Sequence, residues 1–392
     1  GDVTETTAAT ELREPPRLSD ATPGSAQLGR VGDFVLRSIL PLVLALVAGA
    51  AVLVAIDVDP IQYYKDVWSG GVQFAAWQDS LMRVAPLLLI AVGLIVAFRA
   101  GIWNLGMDGQ FLLAAAVISG IGSRFEERLP NAANLIVLFL IAGAVGAAWT
   151  IVPAVLKARY ELNEIITTLM MSFIGINLAQ ILVKGPFQDP STTTPQTRAL
   201  DFSALLPSIP GTESAARRWP GVHVGVIVAV AAAVVVWFLM SRTSLGLRLQ
   251  VLGASMRSAR HMGLDVPRLI VVAFLVSGMF VGFAAATEIL GVKGYQRADW
   301  DPAFGLWVVP LVFLARLHAI GVIPYVLLLS LASIGGDYAA QNAGLTPKFT
   351  LLLVGLTLLF MALTEWIARR AELGGSYLPG VSYRRQRAEG TG

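Results

Sequence analysis

The chain has 392 residues, of which 55% are hydrophobic and only 14% charged, with a formal net charge of +3. A soluble globular domain carries about 25% charged residues, so this composition points to lipid as the solvent. Cysteine is absent and the three histidines are dispersed, which excludes disulfides, thiol nucleophiles and clustered metal ligands. No nucleic-acid partner is expected.

In chain order, residues 1–33 are polar and mixed in charge. They lack a basic start followed by a short apolar core and cleavage site, so a disordered cytoplasmic N-terminal tail is expected and not a signal peptide. Apolar runs then follow at roughly 34–56, 81–99, 109–122, 133–156, 163–183, 222–240, 269–290, 303–317, 320–335 and 349–367. Runs near 20 residues match the ~30 Å hydrocarbon core of a bilayer. The predicted fold is all-α: a polytopic integral membrane protein with about ten transmembrane helices, some broken or short, over residues 34–367. Gly101, Gly106 and Gly109 interrupt one stretch, and Pro310, Gly321 and Pro324 another. Interrupted spans are what helices around a transport pathway look like, although a helix pair joined by a tight turn fits as well.

Orientation follows the placement of Lys and Arg in short loops. The loop 241–268 carries Arg242, Arg248, Arg257, Arg260 and Arg268, and the loop 157–162 carries Lys157 and Arg159. Residues 368–392 are basic, whereas Asp57, Asp59, Asp66 and Asp79 make the loop 57–80 acidic. Both termini and the two basic loops are therefore expected in the cytoplasm. Within 241–268, residues 254–262 read as a short helix closed by Gly263. It is too polar to insert and is suited to a groove on a soluble partner. A positive-inside anchor with no partner is the alternative.

Four stretches resemble one family. The loop pattern Gly246-Leu-Arg248, Gly253-Ala254 and Ala259-Arg-His-Met-Gly263, followed by FLVSG at 274–278, resembles permease subunits of ABC importers. FRAGIWNLGMDGQ at 98–110, LNEIITTLMM at 162–171 and KGPFQDP at 184–190 resemble the branch serving ribose, branched-chain amino acids and nucleosides, the nucleoside (Bmp-type) subgroup closest. Asp108 stands where that branch usually has Glu, Ser172 where the subgroup often has Asn, and ARLHA at 315–319 where a segment close to LGRNHP is usual.

The resemblance implies a permease half that pairs with a second, related permease as a heterodimer. It also implies ABC ATPase subunits on the cytoplasmic face and an extracytoplasmic substrate-binding protein, all in a bacterial inner membrane. The solute would be a nucleoside, or else a simple sugar such as ribose. The chain holds no phosphate-binding loop of the Gly-x-x-x-x-Gly-Lys-Ser/Thr type, so it is expected to bind no cofactor itself and to be no enzyme. ATP and Mg²⁺ would reside on the ATPase. Ala254, Ser255, Arg257, Ser258, Ala259, Arg260 and Gly263 would couple to that ATPase, and Asn163 and Glu164 would lie at a gate or partner contact.

Asn104, Asp108, Gln110, Thr168, Ser172, Asn177 and Glu288 are the expected pathway residues. Polar groups at membrane depth are tolerated where they are buried in protein or line a wet cavity, and amides can both donate to and accept from a hydroxyl-rich solute. Structural roles compete. Asp108 would cap a helix starting near Gly109, and Glu164 would sit in the favourable first turn of its helix. Thr168, Ser172 and roughly Asn177 would share one stripe as interhelical glue, and Glu288 would reach water at the interface. An ion-coupled secondary transporter using Asp108 and Glu288 is the rival of another class. A membrane enzyme is disfavoured, since no paired catalytic groups face a common depth.

Overall fold

The computed structural model describes residues 39–73, 76–126, 129–201, 204–212 and 221–346, with isolated positions between 349 and 367. The expected tails and most of the run 349–367 lie outside the described residues. Among the described residues thirteen α-helices follow one another: α1 (Leu40–Ala55), α2 (Pro60–Val72), α3 (Ala76–Arg99), α4 (Met107–Glu126), α5 (Asn131–Trp149), α6 (Ile151–Tyr160), α7 (Glu164–Lys184), α8 (Gly225–Arg242), α9 (Ser244–Ala254), α10 (Met256–His261), α11 (Val266–Glu288), α12 (Phe304–Leu314) and α13 (Ile323–Asn342). Among the described residues there are only isolated β-bridges, which tie the loop 188–197 to Arg297 and Ser208 to His223.

Among the described residues, six helical runs are long and apolar enough to cross a membrane: α3, α5 continued by α6, α7, α8, α11 with its π-helical extension, and α13. The pair α1 and α2, bent by 119°, makes a seventh if counted as one span. The expected ten is therefore not reached among the described residues, and particular elements account for the difference. The run 303–317 is an 11-residue helix, α12, about 17 Å long and too short to cross. The 20 residues of α4 reach about 30 Å, but Asp108, Gln110, Arg124 and Glu126 lower its apolar character.

Helix α3 is apolar on every side from Val84 to Phe98, and protein encloses it along that length. It is the centre of the bundle, with Leu87 through Ala97 inaccessible apart from the still-buried Gly93. Helix α11 packs against both α3 and α5. Its seam with α5 is made of glycine: a Cβ at Gly282 would lie 2.0 Å from the Ala142 carbonyl oxygen, and one at Gly146 would lie 2.2 Å from that of Gly278. Small residues let backbones touch where lipid supplies no hydrophobic drive for helix association. The other side of α5, and those of α7 and α8, stay exposed through Ile136, Leu140, Phe173, Ile174, Val235 and Phe238.

Candidate transport site and docking loop

The site is built by a break in the chain between α3 and α4. Helix α3 ends in a left-handed Gly101 (φ 71°), with Ile102 N–H returning to the Ala97 carbonyl at 2.9 Å. Gly93 packs on the Ser277 carbonyl, so α3 runs about 9 Å past that level before turning. By Asn104 the chain is back beside Ser277, because Asn104 Nδ2 donates to Ser277 Oγ at 3.0 Å. Ser277 lies 11 residues into the 23-residue α11, near mid-depth. Residues 102–106 are thus a non-helical segment inside the bundle, and α4 starts in the middle of it.

Polar side chains fasten this segment. Asn104 is fully buried, and its Nδ2 also donates to Gln110 Oε1 at 3.3 Å. Its Oδ1 accepts from Gln110 Nε2 at 2.9 Å and from Gly106 N–H at 3.2 Å. Both amide heavy atoms of Asn104 are therefore engaged by protein. Helix α7 adds two hydroxyls: Thr168 Oγ1 accepts from Leu105 N–H at 3.2 Å, and Ser172 Oγ accepts from Gly109 N–H at 3.0 Å. The site residues Asn104, Gln110, Thr168 and Ser172 are thus brought together. Asn177 is not: five residues beyond Ser172 it sits on the exposed side of α7, its Nδ2 bonded back to the Phe173 carbonyl at 2.8 Å.

Asp108 does something other than cap its own helix. Its Oδ1 accepts from Gly305 N–H at 2.8 Å, in the first turn of α12. The residue before α12, Ala303, adopts a left-handed φ of 52° and supplies no side-chain cap. The carboxylate of one internal helix start therefore caps another, and two positive dipole ends meet around it. Broken helices around transport sites place their ends in this way. Glu288, expected to reach water, is instead buried, and its Oε2 has no hydrogen-bond partner among the described residues. Arg83 and Lys293 act on it electrostatically. Arg83 lies over the Phe304 ring at 5.4 Å.

On the expected cytoplasmic side, Asn163 caps α7 through Ile165 N–H at 2.9 Å. Glu164 is nearly buried in an ion pair with Lys157 at 2.7 Å. The expected single helix 254–262 is two elements. Ala254 ends α9, and Ser255 starts α10 by accepting from Ser258 N–H at 3.2 Å. Ala259 anchors α10 from beneath, while Arg257, Ser258, Arg260 and the left-handed Gly263 (φ 74°) are exposed. Arg260 pairs with Glu161 at 2.6 Å, and the hydrogen bond and charge of Arg260 hold that carboxyl below its ordinary range. A cleft of about 440 Å³ separates the two loops, lined by Lys157, Glu161, Met256, Arg257, Arg260 and His261.

Sequence reasoning missed α9, the partnership of Asp108 with Gly305, and Ser277 as the anchor of Asn104. Ser277 stood in a quoted motif without a role. Gly305 carried no signal, since its contribution is a backbone N–H.

Comparison with known proteins completes the picture. The chain is 31% identical to a glucose ABC transporter permease protein of Haloferax volcanii, over 84% of this chain and 88% of that protein. It is 27% identical to a guanosine ABC transporter permease protein of Bacillus subtilis, over 83% of this chain and 92% of the relative. A second guanosine ABC transporter permease protein of the same bacterium is 23% identical, over 74% and 91%. Residues 77–362 match the family described as branched-chain amino acid transport system / permease component. The chain belongs to that family: it is a multi-pass membrane permease subunit of an ABC transporter, not an enzyme, and ATP hydrolysis resides on a separate subunit.

Proposed function

We propose that this permease imports a small polar solute, a nucleoside in the first place, by alternating access at the level of Asp108. The observation that carries the transport reading is the meeting of two internal helix starts, α4 and α12, on one carboxylate inside the bundle. Polar helix ends at that depth offer backbone N–H groups to a solute once the two helices part. The nucleoside reading is supported by KGPFQDP at 184–190 and by the guanosine permeases among the relatives. A simple sugar is the second reading, favoured by the higher identity to the glucose permease. Membership in an ABC family removes the ion-coupled carrier.

In this reading α9, α10 and the loop 157–164 face the cytoplasm and receive ATPase subunits, which carry ATP and Mg²⁺. A binding protein delivers solute to the opposite face, where Arg297 and Asp299 pair at 2.8 Å. A second, related permease covers the α7 side, which alone among the exposed sides of α5, α7 and α8 shows an amide, Asn177, between its ends. A polar group in that position is costly in lipid and favourable against another helix. The test is ATP-driven uptake by the reconstituted complex with radiolabelled nucleosides and hexoses in turn. Uptake of nucleoside that hexose does not compete for supports the first reading, and the reverse supports the second. Uptake of either without ATP contradicts both.

A further inference from the structure

Three contacts join the docking loop to the half-helix α12. Helix α9 is clamped to the end of α8: Gln250 Nε2 donates to the Met240 carbonyl at 2.6 Å, and Leu249 and Leu252 are buried. At its far end, α9 touches the turn that ends α3. A Cβ at Gly253 would lie 2.2 Å from the Arg99 carbonyl oxygen, and one at Gly101 would lie 3.0 Å from Gly253 Cα. The two backbones are in direct contact, with no side chain to absorb a displacement.

The second contact leaves the same turn. Arg99 Nε donates to the Leu317 carbonyl at 2.9 Å. Arg316 and Leu317 are consecutive non-glycine residues with left-handed φ of 53° and 58°, a conformation that L-residues adopt only when their surroundings hold them there. The Arg99 hydrogen bond engages one of the two directly. The third contact is aromatic: Phe313, in the last turn of α12, stacks on Phe98 at 5.1 Å and lies 5.6 Å from Trp103. The other end of α12 is the turn that rests on Asp108.

We propose that Arg99 is a positioning residue that couples the docking loop to α12. A displacement of α9 and α10 moves the Gly253–Gly101 seat. The seat carries the end of α3, and Arg99 transmits that motion through the Leu317 carbonyl to the strained turn and so to α12. Helix α12 then leaves or regains Asp108. Packed interfaces of this kind switch between discrete arrangements and do not deform continuously. The inference rests on the proposed cytoplasmic docking of ATPase subunits at α9 and α10.

The test uses the complete reconstituted complex, with binding protein and ATPase subunits. Solute moved per ATP hydrolysed is measured for the native chain, Arg99→Met and Arg99→Lys. The chain has no cysteine, so spin labels at Leu247→Cys on α9 and Leu306→Cys on α12, both exposed positions, also report the nucleotide-dependent distance between the two elements. Arg99→Met should lower the transport-to-hydrolysis ratio about tenfold, with ATP hydrolysis retained and the distance change lost. Arg99→Lys, which keeps a donor, should recover most of the ratio. An unchanged ratio in Arg99→Met, or a distance change that persists in it, overturns the proposal. Should Arg99→Met fail to assemble, Gly253→Ala, which pushes the seat apart, decides by the same two readouts. Absence of ATP-driven uptake by the native complex would instead strike the proposed function.

Discussion

Replacing Asn104 with Leu separates a brace from a solute ligand. Leu keeps the branched outline of Asn but is larger, so at this fully buried position overpacking adds to the loss of polar contacts. The variant removes four hydrogen bonds, to Ser277 Oγ, to Gln110 through both of its amide atoms, and from Gly106 N–H. Hydrogen bonds between helices in membranes average about 0.6 kcal/mol each, which sets a floor near 2 kcal/mol. Leaving a buried polar group without a partner costs about 1–3 kcal/mol, and the Gln110 amide is buried. A loss of about 2–4 kcal/mol is expected, read as a clear drop in the thermal unfolding midpoint of the purified complex. The double variant Asn104→Leu with Gln110→Leu should cost less than the two singles together by about 1–2 kcal/mol, because it removes the stranded amide. An Asn104→Leu protein with an unchanged midpoint and a raised KM for uptake would refute the brace and restore Asn104 as a solute ligand.

Other outcomes follow from the same geometry. Asp108→Ala should uncap α12 at a cost of about 1 kcal/mol, whereas Asp108→Asn, which keeps an acceptor for Gly305 N–H, should retain most of the unfolding midpoint. Gly282→Leu should prevent α5 and α11 from closing, since even a Cβ would sit 2.0 Å from the Ala142 carbonyl oxygen, and the folded yield in membranes should fall steeply. The depressed Glu161 carboxyl contributes stabilisation that is complete above the ordinary Glu value of about 4.3 and is lost as pH falls through its lower folded value. Proteolysis of the 244–268 loop should therefore accelerate in that acid window, and Arg260→Ala should abolish the dependence.

The apolar runs were legible because lipid demands length and hydrophobicity in one continuous stretch, and α3, α7, α8 and α11 fall where those runs do. The interruption at 99–110 was legible from its glycines, and Gly101 is indeed left-handed. The depth of α12 was not. Its 11 residues are as apolar as a full span, but left-handed Ala303, Arg316 and Leu317 bound it, with Gly305 held by Asp108 and Leu317 by Arg99. Helix α9 went unseen because Gly246 and Gly253 weaken its helical signal, yet close packing requires both. The stripe on α7 was drawn one residue wrong. At about 100° per residue, Thr168, Ser172, Gly175 and Ala179 face inward, while Asn177 turns away. Partners separated by 197 residues, as Asp108 and Gly305 are, leave no trace in local spacing.

The most direct measurement is purification of the tagged chain from its native membrane in mild detergent, with mass spectrometry of the bound proteins and ATP-driven uptake by the same sample. Recovery of an ATPase, a second permease and a binding protein, with uptake that stops when ATP is withheld, is the result this account predicts. Recovery of the chain alone, still moving solute in liposomes without ATP, would contradict it.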